Sequence, residues 1–211
     1  MGIIEYVKES RELIASIKGR DPAAPSAFQI KLLYSGYRAV MNHRKAHWFQ
    51  KRGFYFIARY ISQRTRHKTG IEIHPGAVIG RNLFIDHGMG VVIGETSEIG
   101  DNCTIYQGVT LGGTGNEKDK KRHPTLGDNV FVGSGAKILG AVKIGSGSKI
   151  GANAVVIHDL PENATAVGPL ARIVRIEGVK IPDEVDPLGQ EICAIKKRLH
   201  ELERGIKKRQ E

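Results

Sequence analysis

The sequence predicts a mainly-β protein, a parallel β-helix built from hexapeptide repeats, with an α-helical domain before it and a short helix after it. Three observations carry that expectation. An aliphatic residue recurs at every sixth position through the middle of the chain, 19 of the 26 glycines fall in the same stretch, and both flanks space their apolar residues by threes and fours. Composition shifts near Gly70 and Gly178 accordingly divide the 211 residues into a helical domain at 1–70, a repeat domain at 71–178 and a linker with helix at 179–211.

Residues 1–70 hold 14 Lys and Arg against 4 Asp and Glu, and the remaining segments nearly cancel, so the net charge of +10 is N-terminal. Ile30, Leu33, Tyr34 and Tyr37, then Trp48, Phe49, Phe56, Ile57 and Tyr60, follow the period of amphipathic helices. The stretch RDPAAPSAF interrupts that pattern, because its prolines do not fit a helix interior, and Asp21 is expected on a turn or at a helix start. The cationic residues are spread along the segment without a nucleic-acid-binding signature, which points to a solvated helical face and no nucleic-acid partner.

In the middle region the aliphatic series runs Ile73, Ile79, Ile85, Val91, slips by two residues to Ile93, Ile99, Ile105, Leu111, and resumes at Leu126, Val132, Ile138, Ile144, Ile150, Val156. If each hexapeptide is one short strand and a corner, three make a triangular coil. One aliphatic per side then points to the axis and stacks on the next coil, while Gly and Asn supply the positive φ of the corners. A doubly wound α/β fold would need helical stretches of ten or more residues between strands, and 71–170 contains none. Regularity fails over 112–125, where GGTGNEKDKKRHP has no aliphatic in register and must loop out, ending in Arg122-His123-Pro124. The last region opens with IPDEVDPLG and continues with Ile192, Ile195, Leu199, Leu202 and Ile206 at helical spacing.

No apolar run approaches the ~20 residues of a membrane-spanning helix, and the N-terminus carries acids and no apolar block, so no membrane partner and a cytoplasmic location are expected. Cys103 and Cys193 lie 90 residues apart with no CxxC pair, which offers neither a disulfide framework nor a thiolate metal site.

From RDPA at Arg20 through ARIV at Ala171, the chain closely resembles the serine O-acetyltransferases, hexapeptide-repeat enzymes of cysteine biosynthesis. The residues that carry the resemblance are Arg20-Asp21-Pro22, His47-Trp48, IEIHPGAVIGRNLFIDHGMGVVIGET, VTLGGTG and Arg122-His123-Pro124. The resemblance implies a left-handed β-helix and transfer of acetyl from acetyl-CoA, a co-substrate rather than a resident cofactor, to the hydroxyl of L-serine. It implies His87 as general base, Asp86 and Asp21 as ligands of the serine ammonium, and Arg122 and His123 at its carboxylate and hydroxyl. Glu72 stands where the family usually has an Asp that orients the catalytic histidine. Acetyl-CoA would lie in a groove between neighbouring subunits against Gly135, Ala136, Lys137 and Ala152, with Lys137 or Lys149 near its phosphates and no metal involved.

The chemistry explains why such residues suffice. A serine hydroxyl is a weak nucleophile at neutral pH, and an imidazole of ordinary pKa ~6.5 can take its proton as the oxygen attacks the thioester. The two aspartates and the arginine match the one cation and one anion of an amino acid. The resemblance further implies a homotrimer, with a dimer of trimers left open because the N-terminal region is shorter than in the enzymes that form one, and feedback inhibition by cysteine. Relatives that dock into cysteine synthase use a tail ending in Ile, whereas this chain ends Lys207-Lys208-Arg209-Gln210-Glu211, so no complex through the tail is expected. The competing readings are acetylation of another small hydroxyl acceptor such as homoserine or a sugar, a non-catalytic β-helix scaffold, and metal-dependent CO₂ hydration by His74, His87 and His123. The last lacks its flanking pattern, and His74, beside a proline corner, reads as structural.

Overall fold

The structure, a computed structural model, describes residues 2–24, 26–115, 120–181, Ile195 and Arg198. Within residues 2–178, which form one compact unit, four helices precede the coil: α1 (Ile3–Arg20), α2 (Ala27–Leu33), α3 (Ser35–Gln50) and α4 (Tyr55–Thr69). The first coil is β1 (Glu72–Ile73), β2 (Val78–Ile79) and β3 (Phe84–Ile85), and the second is β4 (Val92–Ile93), β5 (Glu98–Ile99) and β6 (Thr104–Ile105). The third is β7 (Thr110–Gly112), β8 (Thr125–Leu126) and β9 (Phe131–Val132), and the fourth is β10 (Lys137–Leu139), β11 (Lys143–Ile144) and β12 (Lys149–Ile150). β13 (Val155–Val156) and β14 (Ala164–Val167) begin a fifth, and β15 (Arg172–Ile176) folds back antiparallel on β14. Residues from 179 onward form a second unit, in which β16 (Val179–Lys180), Ile195 and Arg198, the last two helical, are described. The rest of the expected linker and C-terminal helix lies outside the described residues.

Parallel pairing stacks the coils into three faces: face I is β1-β4-β7-β10-β13, face II is β2-β5-β8-β11, and face III runs from β3 through β6, β9 and β12 to β14. The register places each aliphatic on its counterpart one coil away, as in Ile73 on Ile93 on Leu111 on Ile138 on Val156. A second buried set sits two residues earlier in each repeat: Ile71, Ala77, Leu83, Val91, Ser97, Cys103, Val109, Val130, Ala136, Val142, Ser148 and Ala154. Val91 therefore belongs to this second set and not to the aliphatic series in which its six-residue spacing places it, since β4 is Val92–Ile93. Eight residues, not six, thus separate Ile85 from Ile93, and the slack is the segment 86–90.

Corners follow the expected chemistry. Asn82, Asn102, Asn129 and Asn163 hold φ of +53 to +57 between faces II and III, a conformation that Asn tolerates better than most side chains.

Large side chains of α1–α3, among them Ile17, Ile30 and Val40, join the core, while α3 and α4 make their closest approach to the coil through small residues. A Cβ on Gly36 would lie 2.0 Å from the Ile85 carbonyl oxygen, so only glycine lets α3 come this close to β3. The buried positions of α4 are Ala58, Ser62, Thr65 and Thr69, and Ser62 Oγ donates to the Ile73 carbonyl at 2.7 Å. The aromatic members of the periodic series on α4 face outward, with Phe56 84% exposed. Among the described residues no helix is long and apolar enough to cross a membrane.

His43 on α3 is buried against the backbone of His74 and Ala77, without a well-formed hydrogen bond on either ring nitrogen. Burial, reinforced by Arg44 and His47, pushes its pKa down to about 3. The unfolded chain, at ~6.5, therefore takes the proton first as pH falls, and the stability present above that value is lost below it. We expect chemical denaturation to show a loss of about 2 kcal/mol between pH 7 and pH 5 from this residue. His43→Met should flatten that slope; an unchanged slope would exclude His43 as its source.

Candidate active site

The two-residue slip is a corner of left-handed backbone that carries the predicted base. Within 86–90, His87 adopts φ +56, Gly88 +82 and Gly90 +74. The segment is tied down by Asp86 N–H to the Ile105 carbonyl (2.9 Å), Gly90 N–H to the Gly70 carbonyl (2.9 Å) and Gly108 N–H to the Met89 carbonyl (2.9 Å). Asp86 Oδ1 accepts the His87 N–H at 2.9 Å, and the His87 side chain is exposed with no hydrogen bond among the described residues. The corner lies on the edge where face III passes to face I.

Asp21 ends α1, where its Oδ1 accepts from Ala23 N–H (2.8 Å) and its Oδ2 from the Tyr34 hydroxyl (2.8 Å). It is not the N-cap of α2; that is Ser26, whose hydroxyl accepts from Gln29 N–H. The Tyr34 phenol is pushed up by desolvation, then by its bond to Asp21 and by the negative charges of Asp21 and Asp86. Both carboxylates thus act on one hydroxyl, which places Asp21, at the end of α1, and Asp86, on the III–I edge next to His87, within electrostatic reach of Tyr34.

The other predicted residues lie on the edge from face I to face II. Arg122 Nη2 pairs with Glu95 Oε2 at 3.0 Å, and Lys121 Nζ donates to the Thr96 carbonyl and Glu98. His123, 7% exposed, packs so closely on the coil that a Cβ on Gly94 would meet its ring at 2.0 Å. Desolvation, followed by the charge of Arg122, lowers its pKa, and His74, half-buried nearby, is lowered by desolvation as well. His74 Nδ1 accepts from Gly76 N–H at 3.0 Å, a turn contact that agrees with a structural role.

The chain brings Asp21, Asp86 and His87 together, and Arg122 with His123, but keeps the two groups on different edges. Of the two options for Glu72, orienting His87 or pointing away from it, the chain shows the second: Glu72 pairs with Arg59 (3.5 Å) and Arg66 (3.1 Å), which ties β1 to α4. Gly135, Ala136 and Ala152 sit at III–I corners and Lys137 opens β10 beside them, its ammonium donating to the Gly108 carbonyl; Lys149 is on face III, exposed. On this edge Gly90, Gly108 and Gly135 stack without side chains, each close against the next.

The model of the bacterial transferase hexapeptide family (six repeats) matches residues 123–158. A serine acetyltransferase of Bacillus subtilis is 51% identical over 212 residues, covering 98% of this chain and 97% of the relative. The chain belongs to the serine acetyltransferase family. Among solved structures, soybean serine acetyltransferase complexed with serine matches with a TM-score of 0.77 at 41% identity, covering 80% of this chain and 69% of that one. A serine acetyltransferase in complex with CoA matches with a TM-score of 0.76 at 37% identity, covering 82% and 70%. The fold is the family's left-handed parallel β-helix.

Sequence reasoning missed Tyr34, Glu95 and Thr96. Glu95 and Thr96 stand inside the quoted motif segment, as GET, and a count of coils from Ile73 places them one coil below the loop that carries Arg122.

Proposed function

We infer that the chain transfers the acetyl group of acetyl-CoA to the hydroxyl of L-serine, releasing O-acetyl-L-serine and CoA. The observation that carries this reading is the split of charge between two edges: Asp21 and Asp86 beside His87 on one, Arg122 and His123 on the other. A homotrimer with the III–I edge of one copy against the I–II edge of the next joins them. The serine ammonium then binds the aspartates, its carboxylate binds Arg122, and its hydroxyl faces His87. His87 takes the hydroxyl proton as the oxygen attacks the thioester carbon. The tetrahedral intermediate then collapses, the C–S bond breaks, and the CoA thiolate recovers the proton from the imidazolium. The side-chain-free stack Gly90, Gly108, Gly135, with Ala136, Lys137 and Ala152, offers a trough for acetyl-CoA along the same edge. L-Cysteine, with the same ammonium and carboxylate, fits the same contacts and is a competitor in this reading.

Thiol release from acetyl-CoA is the test, with L-serine, L-homoserine and no acceptor in parallel. Release that depends on serine, with product formation depressed by added L-cysteine, is the expected result. Faster release with homoserine would move the acceptor, and no release with any acceptor would leave the non-catalytic scaffold.

A further inference from the structure

We propose that Thr96 is a positioning residue that locks His123 into one tautomer and fixes its role as a hydrogen-bond donor. Donors and acceptors at a single hydroxyl decide which nitrogen carries the proton. Thr96 Oγ1 accepts the backbone N–H of Arg122 at 3.1 Å and that of His123 at 3.1 Å, which occupies both of its lone pairs. Its own hydrogen is left to donate, and His123 Nδ1 lies 2.9 Å away. The same nitrogen receives the Thr96 backbone N–H at 3.2 Å. Two donors converge on Nδ1, so Nδ1 is the unprotonated nitrogen and the neutral ring carries its proton on Nε2.

Nε2 is the working end. It lies on the side of Gly94 and Gly113, where the missing side chains leave room for the ring, and among the described residues the hydrogen bonds of the ring are all made at Nδ1. The burial of the ring and, after it, the charge of Arg122 both favour the neutral form. His123 therefore offers an N–H to an incoming oxygen and cannot take a proton there, whereas His87, whose side chain has no hydrogen bond among the described residues, is free to do so. Thr96 thus separates the roles of two histidines that residue type alone leaves interchangeable. Through the two backbone bonds it also sets where the Arg122 side chain leaves the loop.

The inference builds on the proposed acetyl transfer, but its first test needs no substrate. In the ¹⁵N spectrum of histidine-labelled protein without ligands, His123 should show a protonated Nε2 and an unprotonated Nδ1. Thr96→Val should populate the other tautomer, and Thr96→Ser, which keeps the hydroxyl, should restore the original pattern. Kinetically, Thr96→Val should lower kcat/KM for serine about ten- to hundredfold, as expected when the partner that sets a histidine's tautomer is lost. Thr96→Ser should stay within about threefold of wild type, because it retains the hydrogen-bonding atom. Should Thr96→Val fail to fold, the wild-type spectrum and the serine variant still decide. A wild-type His123 protonated on Nδ1, or a valine variant with unchanged tautomer and kinetics, would overturn the proposal. An inactive protein that shows the predicted tautomer would instead overturn the acetyl-transfer reading and leave the lock standing.

Discussion

His87→Asn is expected to leave the fold and serine binding intact and to slow acetyl transfer about 10²- to 10⁴-fold, the usual contribution of a positioned general base. Asparagine is the informative replacement. His87 sits at φ +56, and Asn82, Asn102, Asn129 and Asn153 hold φ of +55 to +57 at other corners of this coil. The backbone of 86–90 therefore accepts Asn without the strain that alanine would meet in the left-handed region. Asp86, whose carboxylate caps the His87 N–H, keeps its contact, since that bond is to backbone. A loss of turnover with unchanged melting temperature and serine affinity then reads as lost proton transfer. Turnover within tenfold of wild type would remove His87 as the base and transfer attention to the other edge.

What the sequence disclosed and what it hid divide by range. The six-residue period needs only neighbours in the chain, and the Asn corners only their own φ, so the coil was legible from Ile73 to Val156 and its register everywhere but at Val91, which the period set one slip too early. The excursion was legible as well, because a segment without an aliphatic cannot enter the coil. The structure keeps Gly112 and Thr125 in strands, which trims the loop by one residue at each end. Contacts that cross elements were not legible. Nothing local tells that Tyr34 donates to Asp21, that Thr96 holds residues 26 and 27 positions later, or that Arg59 and Arg66 occupy the carboxylate of Glu72. On α4 the aromatic stripe is more conspicuous than Ala58, Ser62, Thr65 and Thr69, yet close approach selects the small residues for the buried side.

The largest qualitative effect is expected from mixing two dead variants. His87→Asn lacks the base on the III–I edge, and Arg122→Ala lacks the carboxylate ligand on the I–II edge. Between those edges lies the width of face I, roughly 15 Å at the rise of a β-strand. The ammonium and carboxylate of serine sit on one carbon, so no single chain can hold both at the observed positions of Asp86 and Arg122. If the site is built from two copies, co-assembly of the variants must restore it. In a random 1:1 mixture half of the III–I edges carry His87 and half of the I–II edges carry Arg122, so about a quarter of the junctions are complete. Activity should therefore rise from near zero for either variant alone to about a quarter of wild type after co-expression. Recovery requires that each site take one edge from each of two chains, because a site confined to one chain would stay broken in every copy. A mixture as inactive as its parents, with mixed oligomers confirmed by mass, would refute the two-chain site and require the loop 112–125 to swing across face I within one chain.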